Sequence, residues 1–82
     1  MTKREASFSS CWDTDARRVL AYATRHCGPD DAVEVVSETF LHAWRTWDSV
    51  PTPALPWLIC TARNVIRNVR RGQRRHLSAS PI

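Results

Sequence analysis

The chain has 82 residues and a net charge of +4, and its 43% of hydrophobic residues is enough to form one small domain with a core. Three cysteines without CxxC spacing exclude a disulfide framework and a zinc knuckle, so we expect no metal or other cofactor. No apolar run reaches the length of a signal peptide or a membrane span, and we therefore expect a cytoplasmic protein with no membrane partner.

The first predicted helix runs from about Thr14 to Cys27, where apolar residues recur at three- and four-residue spacing. We expect residues 1–13 to form a flexible or short helical N-terminus. Gly28 is a suitable stop for the first helix, and the proline that follows it supports a break there.

The second predicted helix is capped by Asp30 or Asp31 and reaches about Trp47. At about 100° per residue, its apolar residues cluster on one side, which we expect to face the core: Ala32, Val36, Phe40, Ala43, Trp44 and Trp47. The opposite side is expected to be acidic and exposed, and it consists of Asp31, Glu34, Glu38 and Arg45.

A proline-rich segment, residues 48–56, separates the second and third helices. Its three prolines exclude a continuous helix and favour a stiff, extended loop. Pro56 suits the first turn of the third helix, which we expect to continue to about Arg71 before Gly72 weakens it. The buried side of this helix is predicted to be Leu58, Ala62, Val65, Ile66 and Val69. Residues 76–82 are predicted to be a tail or the start of an interdomain linker.

The third helix carries positive charge without compensation, because residues 51–82 contain six arginines and no carboxylate. Five of these arginines fall within about 100° of one another on its exposed side, if the helix extends that far: Arg63, Arg67, Arg70, Arg71 and Arg74. Trp57, Asn64 and Asn68 flank this arginine arc. These arginines could form a charged face that contacts only solvent. Exposed helices, however, usually carry both acidic and basic residues, which then form favourable pairs. Nucleic-acid binding is the favoured interpretation, since arginine binds phosphate, asparagine can pair with a base edge and tryptophan can stack on a base.

Two motifs resemble a known family. The segment DDAVEVVSETFLHAWRTWD, followed after a short loop by PWLICTARNVIRNVRRGQRR, is similar to the second conserved region of extracytoplasmic-function (ECF) bacterial sigma factors. That family typically has DAEDVVQETFLRAW, a loop, AWLYRIARN and an arginine-rich stretch. The resemblance covers about residues 14–75. It implies that residues 1–75 form an all-α bundle of three or four helices that binds core RNA polymerase and recognises and melts the promoter −10 element through the non-template strand.

The resemblance also implies roles for individual positions. Binding to the β′ clamp helices of core RNA polymerase falls on the acidic side of the second helix, at Asp31, Glu34, Ser37 and Glu38. Capture of a base flipped from the non-template strand falls on the loop, at Asp48, Ser49, Val50, Thr52, Ala54 and Leu55. Contact with the separated strand falls on Trp57, Arg63, Asn64, Arg67, Asn68, Arg70, Arg71 and Arg74.

Several positions depart from the family pattern. Ser37 replaces a usual glutamine, from which we expect modest affinity for core polymerase, and Cys60 replaces a usual arginine, which removes one DNA contact. The helix-turn-helix domain that binds the −35 element in the family is not among these residues. We therefore expect either a fragment that ends at the interdomain linker or a protein that acts without that domain.

Two other functions stay open at this point. One is a generic nucleic-acid-binding helical module, which leaves the acidic side of the second helix without a role. The other is an interaction fragment that is bound by an anti-sigma factor. An enzyme is the least favoured class, because the sequence shows no nucleophile–base pair, paired-carboxylate pocket or phosphate-binding glycine loop.

Overall fold

The structure is a computed structural model that describes the backbone of residues 2–79 and the side chains of residues 2–72. Three α-helices follow one another in the chain: α1 at Lys3–Cys27, α2 at Pro29–Arg45 and α3 at Leu55–Ala79. A short 3₁₀ helix at Trp47–Ser49 begins the connection between α2 and α3. The described residues contain no strand, and the predicted all-α class with three helices is confirmed.

One hydrophobic core lies between the three helices, each of which contacts the other two. Its buried members are Val19, Ala23, Ala32, Val35, Val36, Phe40, Ala43, Leu58, Ala62, Val65 and Ile66. The predicted core sides of α2 and α3 are thus confirmed, although Trp44, Trp47 and Val69 are half-buried. Thr39 is buried as well, and its hydroxyl donates to the carbonyl oxygen of Val35 at 2.7 Å, which satisfies its polar group inside the core.

α1 begins at Lys3, and the prediction that it begins near Thr14 was wrong. Thr2 caps the helix, since its hydroxyl accepts a hydrogen bond from the backbone N–H of Glu5 at 3.1 Å. Phe8 then packs edge-to-face on three aromatic rings, with centroid distances of 6.0, 5.2 and 5.3 Å to Phe40, Trp44 and Trp47. The start of the chain is therefore continuous with α1 and packs on α2.

Substitution of Phe8 tests this early start. We expect Phe8→Ala to lower the free energy of unfolding by about 1.5 kcal/mol, because it removes a half-buried ring and its aromatic contacts. Ser9→Ala is the matched control, since Ser9 is exposed on the same turn. Urea unfolding followed by circular dichroism measures both. Equal midpoints for the two variants would mean that residues 3–13 do not pack on α2.

The junction between α1 and α2 depends on Gly28. This residue has φ 84°, in the region that favours glycine, and its N–H donates to the carbonyl oxygen of Thr24 at 3.0 Å. α2 begins at once with Pro29. Asp30 and Asp31 are therefore not its cap, contrary to the prediction, but lie in its first turn, where carboxylates favour the positive end of the helix dipole.

The ends of α2 and α3 also differ from the predicted ends. α2 stops at Arg45, because the residues after Thr46 tighten into the 3₁₀ helix. α3 includes Pro56 in its first turn, as predicted, but continues past Gly72 to Ala79. One glycine costs a helix only about 1 kcal/mol, which is too little to end it. The predicted tail is thus helical as far as Ala79, and residues 80–82 lie outside the described residues.

Candidate functional site

α2 presents an exposed side that points away from the core. We call it the acidic face, and it consists of the four predicted positions Asp31, Glu34, Ser37 and Glu38. Glu34, Ser37 and Glu38 are exposed, and Asp31, in the first turn of α2, is half-buried. Val33 and Leu41 lie on the same side, 64% and 40% exposed, because residues 33, 37 and 41 are four positions apart. Two exposed apolar side chains therefore lie beside the acidic face, which the charge pattern did not indicate.

A cavity of about 760 Å³ lies between α1 and the loop that follows α2. We call it the loop cavity. Five of the six predicted base-capture residues line it, namely Asp48, Val50, Thr52, Ala54 and Leu55. Ser49 is not among its lining residues. The other wall belongs to α1 and consists of Ser7, Ser10, Cys11, Thr14, Asp15 and Arg18. No local pattern predicts this wall, since it meets the loop only through the tertiary fold.

Two groups of the α1 wall contact each other. The Cys11 thiol donates to the carboxylate oxygen Oδ2 of Asp15 at 3.6 Å. Burial, followed by the charge of Asp15 and this hydrogen bond, raises the pKa of Cys11 to about 11. The thiol is therefore protonated at neutral pH and is a hydrogen-bond donor rather than a nucleophile.

Arg4 joins the start of α1 to the end of α2. Its guanidinium donates to the carbonyl oxygen of Trp44 and lies 3.9 Å from the centroid of the Trp44 ring. Its Nε is also 3.9 Å from Oδ1 of Asp48, which is 92% exposed, so that this ion pair contributes little. A cation at the last carbonyls of a helix stabilises its C-terminus. Arg4 thus holds α1 against the point where the loop leaves α2.

A smaller cavity, of about 280 Å³, lies between the end of α2 and α3. We call it the asparagine groove, because the predicted DNA-binding residues Asn64 and Asn68 line it together with Trp57. Its other lining residues are His42, Thr46, Thr61 and Val65. The helix pattern placed Trp57, Asn64 and Asn68 on one side of α3, but it did not show that His42 of α2 and Thr46, which follows α2, line the groove as well.

The arginine arc is exposed where its side chains are described. Arg63, Arg67 and Arg71 are exposed on α3, as predicted. Arg70 is exposed too, but it donates to the carbonyl oxygen of His26 at the end of α1. This contact gives Arg70 a role in the fold that the helix pattern did not indicate. Arg74 lies within α3, and its side chain is outside the described residues.

A comparison with protein families relates this chain to a described family. A family model described as Sigma-70 region 2 matches residues 12–76, which include α2, the loop and most of α3. No significant match was found among curated proteins or among solved structures. Within the described residues, no group of three or more His, Cys, Asp or Glu side chains could hold a metal ion, and no helix is long and apolar enough to cross a membrane.

Proposed function

The chain belongs to the sigma-70 region 2 family, and from this we propose that it is region 2 of an ECF-type sigma factor, which holds the unpaired non-template strand of the −10 element. Sigma-70 region 2 takes part in promoter recognition and in binding to core RNA polymerase, and it is not a known enzyme family. The motif pair around α2 and α3 supports the ECF subclass. We assign the domain to residues 1–75, and residues 76–82 lead out of it.

One observation supports the proposal: the loop before α3 lines the loop cavity, and α3 itself lines the asparagine groove and carries the exposed arginines. Pro56 lines the loop cavity, Trp57 lines the asparagine groove, and Arg63 begins the arginine arc. A single strand needs these three elements together, because its bases must be unstacked and held while its phosphates are neutralised. The order of the sites therefore fits an extended strand that runs along the loop and α3.

Each element has a chemistry suited to one part of the strand. The loop cavity, at about 760 Å³, is in the size range of small-molecule sites and is large enough for one flipped base. In the asparagine groove, Trp57 offers a ring for stacking, and Asn64 offers both a donor and an acceptor to a base edge. Arg63, Arg67 and Arg71 bind phosphates.

The acidic face is the proposed surface for core RNA polymerase, with the β′ clamp helices as its partner. Exposed carboxylates at Glu34 and Glu38 complement a basic surface. Val33 and Leu41 add apolar area of the kind that the centre of a protein interface buries. A generic nucleic-acid-binding module does not account for this combination, and for that reason we favour the sigma-factor function.

From the asparagine groove we expect single-strand binding to show a base preference that depends on Asn64. We expect Asn64→Ala to reduce discrimination at one position of the strand by about fivefold, since one base-edge contact is lost, while mean affinity changes less than about twofold. The full chain is used to capture single-stranded oligonucleotides with randomised central positions, which are sequenced before and after capture. Cys60→Ala is the matched control, because Cys60 is exposed on α3 and does not line the groove. A uniform loss across all sequences would assign Asn64 to phosphate contact or to the fold.

A further inference from the structure

The loop cavity has a second wall, on α1, to which the loop assignment gives no role. We propose that this wall recognises the captured base: Asp15 accepts a hydrogen bond from an exocyclic amino group, and Arg18 binds the neighbouring phosphate. The cavity would then select adenine, cytosine or guanine over thymine. This inference rests on the proposed function, since it concerns the base that the loop captures.

The carboxylate of Asp15 has capacity for such a bond. Asp15 is half-buried and lines the cavity, and Cys11 is its one hydrogen-bond donor among the described residues. That bond occupies part of Oδ2 and leaves Oδ1 to accept from a ligand. Because the Cys11 thiol stays protonated at neutral pH, it orients the carboxylate without adding negative charge.

An ionised carboxylate accepts hydrogen bonds and cannot donate them, and this property separates the bases. Adenine, cytosine and guanine each carry an amino group that can donate, whereas thymine presents carbonyl oxygens on either side of a single N–H. A carboxylate that accepts from this N–H of thymine also lies close to a flanking carbonyl oxygen, and the repulsion costs binding energy. The wall therefore selects both for an amino group and against a carbonyl group.

Arg18 offsets the charge of Asp15 at the same wall. It lies three residues further along α1, on the same side of the helix, and it is exposed. Its guanidinium can bind a phosphate that flanks the captured base. Arg17 is also exposed but does not line the cavity, so the two neighbouring arginines form a matched pair for experiment.

The α1 wall is held in place by contacts on either side of it. Arg4 and Phe8 fix the beginning of α1 to Trp44, at the end of α2. Val19 and Ala23 fix the following turns in the core. Asp15 lies between these two anchors, and the distance between wall and loop is therefore set by the fold rather than by the ligand.

Binding of single-stranded oligothymidylate with one central guest nucleotide tests the inference. Fluorescence anisotropy of the labelled strand measures affinity for the full chain. We expect a guest dA to bind about fivefold more tightly than a guest deoxynebularine, which is deoxyadenosine without its amino group, because one charge-assisted hydrogen bond is lost. Guest dC and dG should also bind more tightly than dT. Equal affinity for dA and deoxynebularine would overturn the inference without any change to the protein.

Substitutions in α1 then test whether the preference for a guest dA comes from Asp15. Asp15→Asn should reduce the preference for dA to below about twofold, since an amide no longer supplies the charged acceptor. Asp13→Asn, an equal charge change at an exposed position outside the cavity, should leave it unchanged. Arg18→Gln should weaken binding to every guest alike and flatten the slope of log affinity against log salt by about 0.7, whereas Arg17→Gln should not.

The outcomes distinguish this inference from the proposed function. A wild-type preference for dA that persists in a folded Asp15→Asn variant overturns the role of Asp15 and leaves single-strand binding intact. A chain that binds none of the strands overturns both. Loss of the preference in Asp15→Asn alone, with Asp13→Asn like the wild type, supports the α1 wall.

Discussion

Charge reversal on the acidic face, with Glu34→Arg and Glu38→Arg combined, is expected to weaken binding to core RNA polymerase by at least about a hundredfold. Both side chains are exposed, so their replacement should cost the fold little. Two arginines in their place would oppose the basic surface that we propose as the partner, and like charges brought together at an interface cost several kcal/mol. Interferometry with immobilised core polymerase measures the affinity, and circular dichroism measures the helical content.

A second charge reversal of equal size is the control for this result. Glu5→Arg with Asp13→Arg changes the net charge by the same amount at two exposed positions of α1. We expect this variant to bind core polymerase as the wild type does, apart from a small effect of overall charge. If both double variants bind alike, the acidic face is not the docking surface.

The sides of α2 and α3 could be predicted from the sequence because each is a local periodic pattern. Ala32 and Phe40 on α2, and Leu58 and Ile66 on α3, recur at helical spacing, and all four are buried. The exposed arginines of α3 followed from the same pattern. For these two helices, the spacing of apolar residues along the chain decides which side is buried. The apolar sides therefore face the core, as predicted.

Features that depend on contacts between distant residues could not be predicted in this way. Residues 3–13 carry only a short apolar repeat, Phe8, Cys11 and Trp12, and their helix is held by Thr2 and by the contacts of Phe8 with α2. The hydrogen bond from Arg70 to His26 joins positions 44 residues apart, so that no local pattern indicates it. The α1 wall of the loop cavity has the same origin.

The cap of α2 shows a different kind of error. Aspartate is a preferred cap, which favours Asp30 or Asp31, but Pro29 is suited to the first helical position, and the cap of α2 is therefore Gly28. When adjacent residues favour different starts of a helix, as Pro29 and Asp30 do here, the backbone conformation decides between them. Here the positive φ of Gly28 ends one helix and begins the next without an intervening loop.

Removal of two arginines from α3 should have the largest effect on DNA binding. We expect Arg67→Gln with Arg71→Gln to weaken single-strand binding by about thirtyfold at low salt, since two charge-assisted phosphate contacts are lost. The slope of log affinity against log salt should become shallower by about 1.4, at about 0.7 for each phosphate. Both positions are exposed, and stability should change by less than about 0.5 kcal/mol.

Arg17→Gln with Arg25→Gln is the matched control, because it removes two exposed arginines from α1 that line neither cavity. Its slope should equal that of the wild type. A shift of the same size in both double variants would show that net charge, rather than the position of Arg67 and Arg71, determines binding.

The central claim is that this chain holds an unpaired DNA strand along the loop and α3. Its most direct test is the affinity of the full chain for a single strand and for the duplex of the same sequence, measured over a range of salt concentrations. Arg63, Arg67 and Arg71, the exposed arginines of α3 to which we assign phosphates, predict tighter binding to the single strand, with a slope of about −2 or steeper. A duplex that binds as tightly as the single strand, or an affinity that does not change with salt, would contradict the claim.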